Sequence, residues 1–577
     1  MIEKSPQRSR LRVFTTPSRN DDTLTMIRTR LKEIIDSCFD RGVQEQLWSE
    51  GGAGKYTVEV PKHEKQGDYS TNIALVLAGI EKRNPREIAS QVAAFLEQEG
   101  DLIASVSIAG PGFVNITIQV TVWQHCLKEI EKAGETYGTS DIGGGRKVMV
   151  EFVSANPTGP LSVGHGRQAI LGDAIARLLE STGHDVYREY YYNNAGRQMR
   201  VLGESARARY RELLGLDHTF PEDGYQGEYI YDVARALIEE SGDSLKDIKE
   251  IDPFKAKAEE LIFKDISSTL ARMGIIFDNY YNERSLYDDG HIDSVVSELK
   301  EKGLVYQHDN ATWFKTTKFG HENDRVIIKS SGEPTYRLPD IAYHREKFKR
   351  NFDWLIDIFG SDHIATVPDV MAGVTALGYD ASKVTVVLHQ FVTLMRDGKQ
   401  VKMSTRKANF VTVDELLDEV GTDVARFFFM MRKPDSQLEF DLDLATSESQ
   451  ENPVYYVQYG HARLCSIQRQ AQERGLQLPE FESIDSALLT QPEEIRLLKS
   501  MAAFPLLVES AALELAPHRI IFYLMELAGQ FHSYYNKHKV ITEDNALSQA
   551  RLCLVGALRT VLANGLRIVG LSTPESM

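Results

Sequence analysis

The sequence predicts an α/β fold: a Rossmann-like parallel-sheet domain, preceded by an N-terminal α+β domain and followed by a C-terminal all-α helical bundle. Apolar and β-branched residues at positions 148–153 are typical of a buried parallel strand. A turn containing Pro and Gly follows, and a helix with apolar residues at helical spacing opens at residues 164–166. From about residue 441 onward, apolar residues recur at i, i+3 and i+4, which predicts helices.

Length, charge and cysteine usage limit the class of protein. At 577 residues the chain is too long for one hydrophobic core. The net charge of −17 argues against indiscriminate binding to nucleic acid, so we expect no DNA partner, whereas a selective RNA partner would need basic groups on one face. No apolar run approaches the roughly 18 residues of a membrane span, so we expect no membrane partner. Four distant cysteines favour reduced thiols in a cytoplasmic protein without structural zinc.

Changes in composition and pattern divide the chain into segments. Residues 1–22 are rich in Arg and Ser and lack helical periodicity, so we interpret them as disordered or as a misassigned extension. The other predicted segments are an additional N-terminal domain at 23–120, a linker helix at 121–145, the α/β domain at 146–440 with an insertion at about 205–325, and the helical domain at 441–577.

The N-terminal segment combines helical and strand patterns. Apolar residues between Leu31 and Cys38 recur at helical spacing, and Asn84-Pro85 is a typical helix start. Alternation at 56–60 and 106–116 predicts strands. The residues alone leave open whether this domain contacts a partner or only packs against the rest of the chain.

The loop before the predicted helix of the α/β domain carries the first chemical motif. Free N–H groups at a helix start attract anions, although a glycine turn there is more often structural. Residues 154–167, SANPTGPLSVGHGR, resemble the His-x-Gly-His signature of class I aminoacyl-tRNA synthetases, in the longer form of the bacterial arginyl-tRNA synthetases. Ser162 stands in place of the first histidine. The resemblance implies that Gly164, His165 and Gly166 bind ATP, and that His165 and Ser162 act in catalysis at phosphate oxygens.

A second stretch is suited to recognise arginine. A guanidinium requires a carboxylate, preferably two-pronged, and a flat polar or aromatic wall. In residues 332–344, GEPTYRLPDIAYH, the family resemblance implies that Tyr336 and Asp340 bind arginine, with Glu151 and Asn156 contributing from the first half. Without the resemblance, a surface turn with Asp340 as a helix N-cap is an open alternative.

A basic segment lies far downstream of the first motif. Residues 402–406, KMSTR, resemble KMSKS, the second signature of class I synthetases, with Thr405 in place of the second lysine. The resemblance implies that Lys402 and Ser404 act in catalysis and that Lys402 and Met403 contact ATP. A mobile cationic loop can neutralise charge on leaving pyrophosphate. An ordinary solvated basic loop is the alternative.

The C-terminal segment contains an aromatic and basic helix. Tyr455, Tyr459 and Arg463 recur at helical spacing in NPVYYVQYGHARL, and such groups can stack unpaired bases and hold phosphates. The segment is similar to the anticodon-binding bundle of the same family, which implies tRNA binding by these residues. A half-buried tyrosine core is the competing interpretation.

The resemblance covers nearly all of residues 24–577 and implies an arginine–tRNA ligase function. We expect ATP-dependent activation of L-arginine to arginyl-adenylate and its transfer to the 3′ end of tRNA(Arg), with Mg²⁺ carried by the nucleotide. We expect a monomer. Two alternatives are a small-molecule nucleotidylyltransferase, which shares the glycine–histidine loop, and a silent paralogue that only binds tRNA.

Overall fold

The structure of the chain is a computed structural model that describes residues 23–61, 63–401 and 411–577. The predicted extension at 1–22 lies outside the described residues.

The N-terminal region contains α1 (Thr23–Gln44), β1 (Val58–Glu59), β2 (Tyr69–Thr71), α2 (Ile73–Glu81), α3 (Pro85–Leu96), β3 (Ile103–Ala109) and β4 (Phe113–Ile118). Its strands form an antiparallel sheet in the order β1-β2-β4-β3, whose inner face packs against the helices. The Asn84 side chain accepts a hydrogen bond from the Arg86 N–H (2.9 Å), and Pro85 lies in the first turn of α3. This helix therefore begins where the sequence indicates.

Two short helices, α4 (Val120–Gln124) and α5 (Cys126–Ala133), lead to the central region. The central region opens with β5 (Lys147–Glu151), α6 (Val163–Ser181), β6 (Asp185–Tyr192), α7 (Gly196–Leu213), α8 (Glu228–Ser241), α9 (Asp252–Arg272) and β7 (Asn279–Asn282). It continues with α10 (Arg284–Asp288), α11 (His291–Glu301), β8 (Val305–His308), β9 (Ala311–Phe314), β10 (Arg325–Ile328), α12 (Arg337–Lys349), β11 (Trp354–Gly360), α13 (Val367–Ala376) and β12 (Val384–His389).

The central sheet is parallel throughout and has the order β12-β11-β5-β6-β7. Val148, Met149 and Val150 of its middle strand β5 are fully buried, because helices cover both faces of such a sheet. Helix α6 returns the chain from β5 to β6, and Gly183 follows it with φ +81°, as expected for the residue after a helix C-cap. The predicted parallel-sheet α/β fold is confirmed.

A second core lies beside this sheet. Strands β8, β9 and β10 form a small antiparallel sheet, as their alternating sequence predicts. Leu299, Phe314, Ile341 and neighbouring side chains bury its contacts with α11, α12 and α13. This packing fixes the orientation of α12, which carries the predicted arginine-binding residues.

The chain then forms β13 (Val392–Arg396), β14 (Lys399–Gln400), α14 (Val413–Val420), α15 (Thr422–Met430), β15 (Leu438–Asp441) and α16 (Leu442–Thr446). Thr412 and Glu415 close a capping box at the start of α14. Thr412 also pairs with Ser162, and the Val413 N–H donates to the Leu161 carbonyl (2.8 Å). The start of α14 is thus joined to the start of α6.

The C-terminal region is a bundle of α17 (Pro453–Glu473), α18 (Pro492–Ala502), α19 (Phe504–Leu513), α20 (His518–Lys537) and α21 (Asn545–Ile568). Hydrogen bonds from Gln124 Nε2 to the Leu489 carbonyl (3.2 Å) and from Tyr137 OH to the Met501 carbonyl (3.0 Å) attach the linker helices to it. Helix α21 is the one described helix with the length and hydropathy of a membrane span. However, 67% of its apolar 18-residue stretch is buried in the bundle. The four cysteines are buried free thiols.

Candidate active site

A cavity of about 880 Å³ opens at the carboxyl ends of the central strands. Ligands of parallel α/β sheets bind at this edge, where the loops after the strands diverge. The cavity brings together predicted residues from three distant parts of the chain: Glu151, Asn156, Ser162, Gly164, His165, Tyr336 and Asp340.

Ser162 and His165 form a capping box at the start of α6. The Ser162 backbone N–H donates to His165 Nδ1 (3.2 Å), and Ser162 Oγ lies 3.2 Å from the same nitrogen. Because Nδ1 accepts, the neutral ring carries its proton on Nε2. Burial, and after it the neighbouring His389, lowers the pKa of His165 to about 4. The ring is therefore a neutral donor at a helix start, which suits a phosphate oxygen.

The two glycines of the motif differ in position. Gly164 is exposed and lines the cavity, so its backbone is open to a ligand. Gly166 is buried and does not line the cavity. A Cβ at Gly166 would lie 3.0 Å from Val413 Cγ2, so this glycine permits close packing of α6 against α14. The structure gives Gly166 a packing contact rather than a position at the cavity surface.

The turn after β5 has an unusual backbone. Val153 and Ser154 have φ angles of +68° and +44°, which β-branched residues in particular rarely adopt. The Ser154 Oγ donates to Glu151 Oε1 (3.0 Å) and accepts from the Tyr191 N–H (3.2 Å). These bonds hold the strained turn at the cavity wall.

Asn156 lies just beyond this turn. Its Oδ1 accepts a hydrogen bond from the Asn193 N–H (2.9 Å), and its Nδ2 donates to Gln198 Oε1 (3.0 Å). The side chain thereby connects the loop after β5 with the loop after β6. It lines the cavity with both ends of its amide hydrogen-bonded within the protein.

Two acidic side chains, Asp340 and Glu283, line the same part of the cavity. Burial raises the pKa of Asp340 to about 7; His344 opposes the rise, and Glu151 and Glu283 add to it. Glu283 accepts hydrogen bonds from Tyr191 OH (2.7 Å) and Asn193 Nδ2 (2.8 Å), and its pKa is raised by burial. This concentration of acid groups favours a cationic ligand.

Asp340 is in the first turn of α12 and Tyr336 is the N-cap, so the alternative of Asp340 as N-cap is wrong.

A buried charge network lies under the acid pocket. Lys347 Nζ donates to Glu151 Oε2 (2.5 Å) and Asp357 Oδ1 (2.6 Å). His344 bridges Asp357 Oδ2 (2.9 Å) and the Asp340 carbonyl (2.8 Å). Both oxygens of the predicted arginine-binding residue Glu151 are therefore already hydrogen-bonded within the protein.

The rim of the cavity is more exposed than its floor. The Tyr336 side chain is 85% exposed and stands at the opening of the acid pocket. Phe391, just before β13, is 68% exposed and also lines the cavity, as do Asp362 and His363, which follow β11. Flat aromatic groups at an opening can cover a planar ligand.

The second motif lies outside the described residues. Lys402, Met403 and Ser404 fall in the gap between 401 and 411. On one side of the gap, the Val401 N–H donates to the Leu394 carbonyl (2.9 Å); on the other, Thr412 pairs with Ser162. Thr412, shortly after these residues in the chain, therefore lies beside the first motif.

Helix α17 presents Tyr455, Tyr459 and Arg463 on one half-buried face. The two tyrosine rings are stacked at 5.9 Å, and the Arg463 guanidinium lies 4.8 Å from the Tyr459 ring and 4.9 Å from the Tyr535 ring of α20. His461, on the same helix, is buried and faces the Pro574 carbonyl (2.9 Å). The stacked rings and the cation form a surface suited to unpaired bases and phosphate.

Several cavity residues escaped sequence analysis. Glu283, Tyr191 and His389 line the cavity, and Lys347 lies beneath it. Glu283 sits in a polar segment without a motif, and Lys347 looks like one of several lysines near the end of α12. The tyrosines of β6 were a visible signal, since an aromatic run at the end of a predicted parallel strand faces the ligand edge.

No group of three or more His, Cys, Asp or Glu side chains is placed to hold a metal ion within residues 23–61, 63–401 and 411–577.

Comparison with known proteins identifies the class. The model of the class I tRNA synthetase (R) catalytic domain matches residues 129–444, the arginyl-tRNA synthetase N-terminal domain matches 25–118, and the DALR anticodon-binding domain matches 457–577. With a parallel sheet whose ligand edge carries the glycine–histidine helix start, these matches define a class I aminoacyl-tRNA synthetase.

Curated relatives narrow the class to one family. An arginine–tRNA ligase of Desulfotalea psychrophila is 72% identical over 552 residues, covering 96% of this chain and 100% of the relative. One from Syntrophotalea carbinolica is 48% identical and covers 96% and 99% of the two chains. The arginyl-tRNA synthetase of Thermus thermophilus, 23% identical, shares the fold with a TM-score of 0.71 over 95% of this chain and 100% of that one. The chain belongs to the arginine–tRNA ligase family.

Family membership confirms the predicted fold class, enzyme class and function: the protein is an ATP-dependent ligase that charges tRNA(Arg) with arginine. The nucleotidylyltransferase alternative is wrong, since the matches extend over the synthetase's N-terminal and anticodon-binding domains.

Proposed function

We propose that the cavity at the end of the central sheet is where arginine and ATP react, and that its two ends divide the recognition between them. The observation that carries this proposal is the placement of His165 and Asp340 in one cavity. A neutral N–H donor at a helix start serves the phosphate end, and an acid pocket serves the guanidinium end.

Asp340 is the main partner of the substrate guanidinium. Its raised pKa is supporting evidence, because a carboxyl that is costly to ionise in the empty site becomes easy to ionise beside a fixed cation. Glu283 contributes a second negative charge, and Tyr336 closes over the planar group from the rim. Lysine and citrulline each leave part of this pocket unpaired, so discrimination needs no editing site.

The opposite end of arginine lies near the strained turn after β5. Asn156, held by hydrogen bonds at both ends of its amide, contacts the amino acid backbone, and Glu151 acts from beneath the turn through Ser154. This arrangement directs the substrate carboxylate toward the start of α6.

The nucleotide phosphates bind at the start of α6. Gly164 offers its backbone, and His165 donates from Nε2 to a phosphate oxygen, while Ser162 holds the ring and Gly166 allows the helix to approach α14. From the sequence, Lys402 and Met403 are assigned to ATP and Lys402 and Ser404 to catalysis, with Lys402 neutralising pyrophosphate. Mg²⁺ carried by the nucleotide would supply further neutralisation of the triphosphate charge.

The chemistry needs no protein nucleophile. The arginine α-carboxylate attacks the α-phosphorus of ATP, forming the P–O bond of arginyl-adenylate and breaking the bond to pyrophosphate. The 2′-hydroxyl of the terminal tRNA adenosine then takes the arginyl group, its proton is lost to solvent, and AMP leaves. The protein contributes positioning and charge stabilisation.

The face of α17 with Tyr455, Tyr459 and Arg463 binds tRNA. Stacked rings beside a cation accept unpaired bases, and the concentration of these groups on one face supports a selective contact despite the net charge of −17. We assign the protein to the cytoplasm, where translation takes place, and expect a monomer.

The test is charging of total tRNA with labelled arginine in the presence of ATP, with lysine and glutamine as controls. Arginine-specific, tRNA-dependent incorporation is expected, and Asp340→Asn should abolish it. A protein that binds tRNA without incorporating arginine would instead be the silent paralogue.

A further inference from the structure

A lysine ammonium lies under the arginine pocket without touching the cavity. Lys347 is fully buried, and its Nζ lies between the carboxylates of Glu151 and Asp357, at 2.5 and 2.6 Å. The ammonium is also 4.4 Å from the centre of the Tyr343 ring. Lys347 does not line the cavity, whereas Glu151, Asp357 and Tyr343 all do.

The two carboxylates it contacts are direct neighbours. Glu151 and Asp357 are register partners on the adjacent parallel strands β5 and β11. Two buried like charges at this separation repel one another, and a counter-ion between them lowers the cost of ionising both. Burial raises the pKa of Asp357, but Lys347 and His344 together hold it well below its ordinary range. Burial likewise raises the pKa of Glu151, and Lys347 opposes that rise.

This arrangement determines which acid is left for the substrate. The Glu151 carboxylate accepts hydrogen bonds from Lys347 and Ser154. The Asp357 carboxylate is hydrogen-bonded to Lys347 and His344. Within the part of the chain that the structure describes, the Asp340 carboxylate makes no hydrogen bond or ion pair, and this side chain lines the cavity. One cation therefore satisfies two of the acids, and the third remains for a ligand.

We propose that Lys347 is a positioning residue for arginine: by occupying the space between Glu151 and Asp357, it leaves Asp340 as the acid that the guanidinium must neutralise, and it sets the pH range in which arginine binds. The inference rests on the proposed role of Asp340.

The charged and titratable groups around Asp340 come from every neighbouring element. They are Glu151 of β5, Tyr191 of β6, Glu283 after β7, Tyr287 of α10, Tyr343, His344 and Lys347 of α12, and Asp357 of β11. Removal of the Lys347 charge leaves this set more negative by one unit. Asp340 should then hold its proton to higher pH, and arginine should need higher pH to bind.

The experiment is isothermal titration calorimetry of the full chain with L-arginine over a range of pH, for Lys347→Met and for the control Lys349→Met. Lys349 is on the same helix but is exposed and pairs with Glu346. For Lys347→Met we expect the inflection in arginine affinity to move up by about one pH unit, which weakens binding about fivefold near pH 7. The ATP affinity should stay unchanged, and Lys349→Met should match the parent protein. An unchanged inflection in Lys347→Met overturns the proposal.

A double variant separates charge from folding. Lys347→Met with Asp357→Asn removes one positive and one negative charge, so the inflection should return to the parent value. Asp357→Asn alone should move the inflection down. If Lys347→Met does not fold, the double variant and Asp357→Asn still test the proposal. An inflection that does not shift with the net charge of these groups overturns the role of Lys347. Asp340→Asn is measured in parallel. If it binds arginine as the parent does, the proposed pocket itself is wrong, which is a different failure.

Discussion

His165 Nδ1 accepts a hydrogen bond from the backbone N–H of Ser162, three residues earlier in the chain, at 3.2 Å. The backbone N–H makes Nδ1 the acceptor, and the Ser162 hydroxyl, 3.2 Å from the same nitrogen, can donate to it as well. The imidazole therefore reaches the cavity with a fixed orientation and a fixed tautomer. Ser162, which stands in place of a histidine of the related signature, thus hydrogen-bonds the remaining one through its backbone N–H.

The first prediction concerns the protonation of His165. Burial, and next His389, lowers the pKa of its ring to about 4, so the ring stays neutral as pH rises from there. The charging rate of the parent protein should show no inflection from His165 between about pH 5.5 and pH 8. His165→Ala should lower the rate about 10²–10³-fold, as for loss of one transition-state donor. His165→Gln, which keeps an N–H donor, should lose less. A pH profile that changes shape in His165→Gln would contradict this assignment.

The second prediction concerns Ser162. Ser162→Ala removes the side-chain cap of α6, and it should cost about 1 kcal/mol of unfolding free energy. The backbone N–H bond to His165 would remain, so activity should fall less than in His165→Ala. Ser162→Thr is the matched control, since it keeps the hydroxyl and should retain both stability and rate. Chemical denaturation and steady-state charging measure the two effects separately.

The third prediction is that Asp340 lowers the stability of the free protein while it serves arginine binding. Because the folded-state pKa is raised to about 7, mainly by burial, the folded protein binds a proton more tightly than the unfolded chain does. This group therefore makes the free protein less stable as pH rises from the ordinary aspartate value toward 7. Asp340→Asn should remove that loss and raise the free energy of unfolding by on the order of 1 kcal/mol near pH 8, while arginine binding is lost. Thermal unfolding with and without arginine measures both. A variant that is less stable than the parent at this pH would contradict the prediction.

The fourth prediction follows from the same group. A guanidinium stabilises the ionised carboxylate, so arginine binding should release a proton near neutral pH. Arginine affinity should fall about tenfold for each pH unit below about pH 6.5, because the protonated acid must first ionise. Calorimetric titration in buffers of different ionisation enthalpy measures the proton release. In Asp340→Asn, any residual arginine binding should show none.

The sequence was informative where short local patterns carry the structure. The apolar strand at 148–153 and the helix after Ser162 could both be predicted, because propensity and spacing determine them locally. The buried ion pair of Lys347 with Glu151 could not, since its partners are 196 positions apart and a lone lysine has no pattern.

The neighbouring acid Glu283 was missed for a similar reason. Its position in the cavity depends on how β7 joins the edge of the parallel sheet, which is a long-range contact. Asp340 was found only through the resemblance, because its local sequence also fits a surface turn. The long-range placement of charges, more than the elements themselves, is what required the structure.

The last prediction concerns the tRNA face of α17. Arg463 is held between the rings of Tyr459 and Tyr535, and its NH2 donates to Tyr459 OH (2.5 Å), so its cation is fixed at the edge of a stacked pair. Arg463→Met should raise the KM for tRNA about five- to tenfold, with the KM values for arginine and ATP unchanged, since stacking and phosphate contacts are each worth about 1–3 kcal/mol at such sites. The matched control is Arg469→Met on the same helix, where the exposed side chain donates to the Glu575 carbonyl (3.2 Å). The effect of Arg463→Met should shrink as salt is raised, because phosphate contacts are salt-dependent. Equal losses in the two variants would show that α17 responds to any charge removal and that the stacked face is not the tRNA contact.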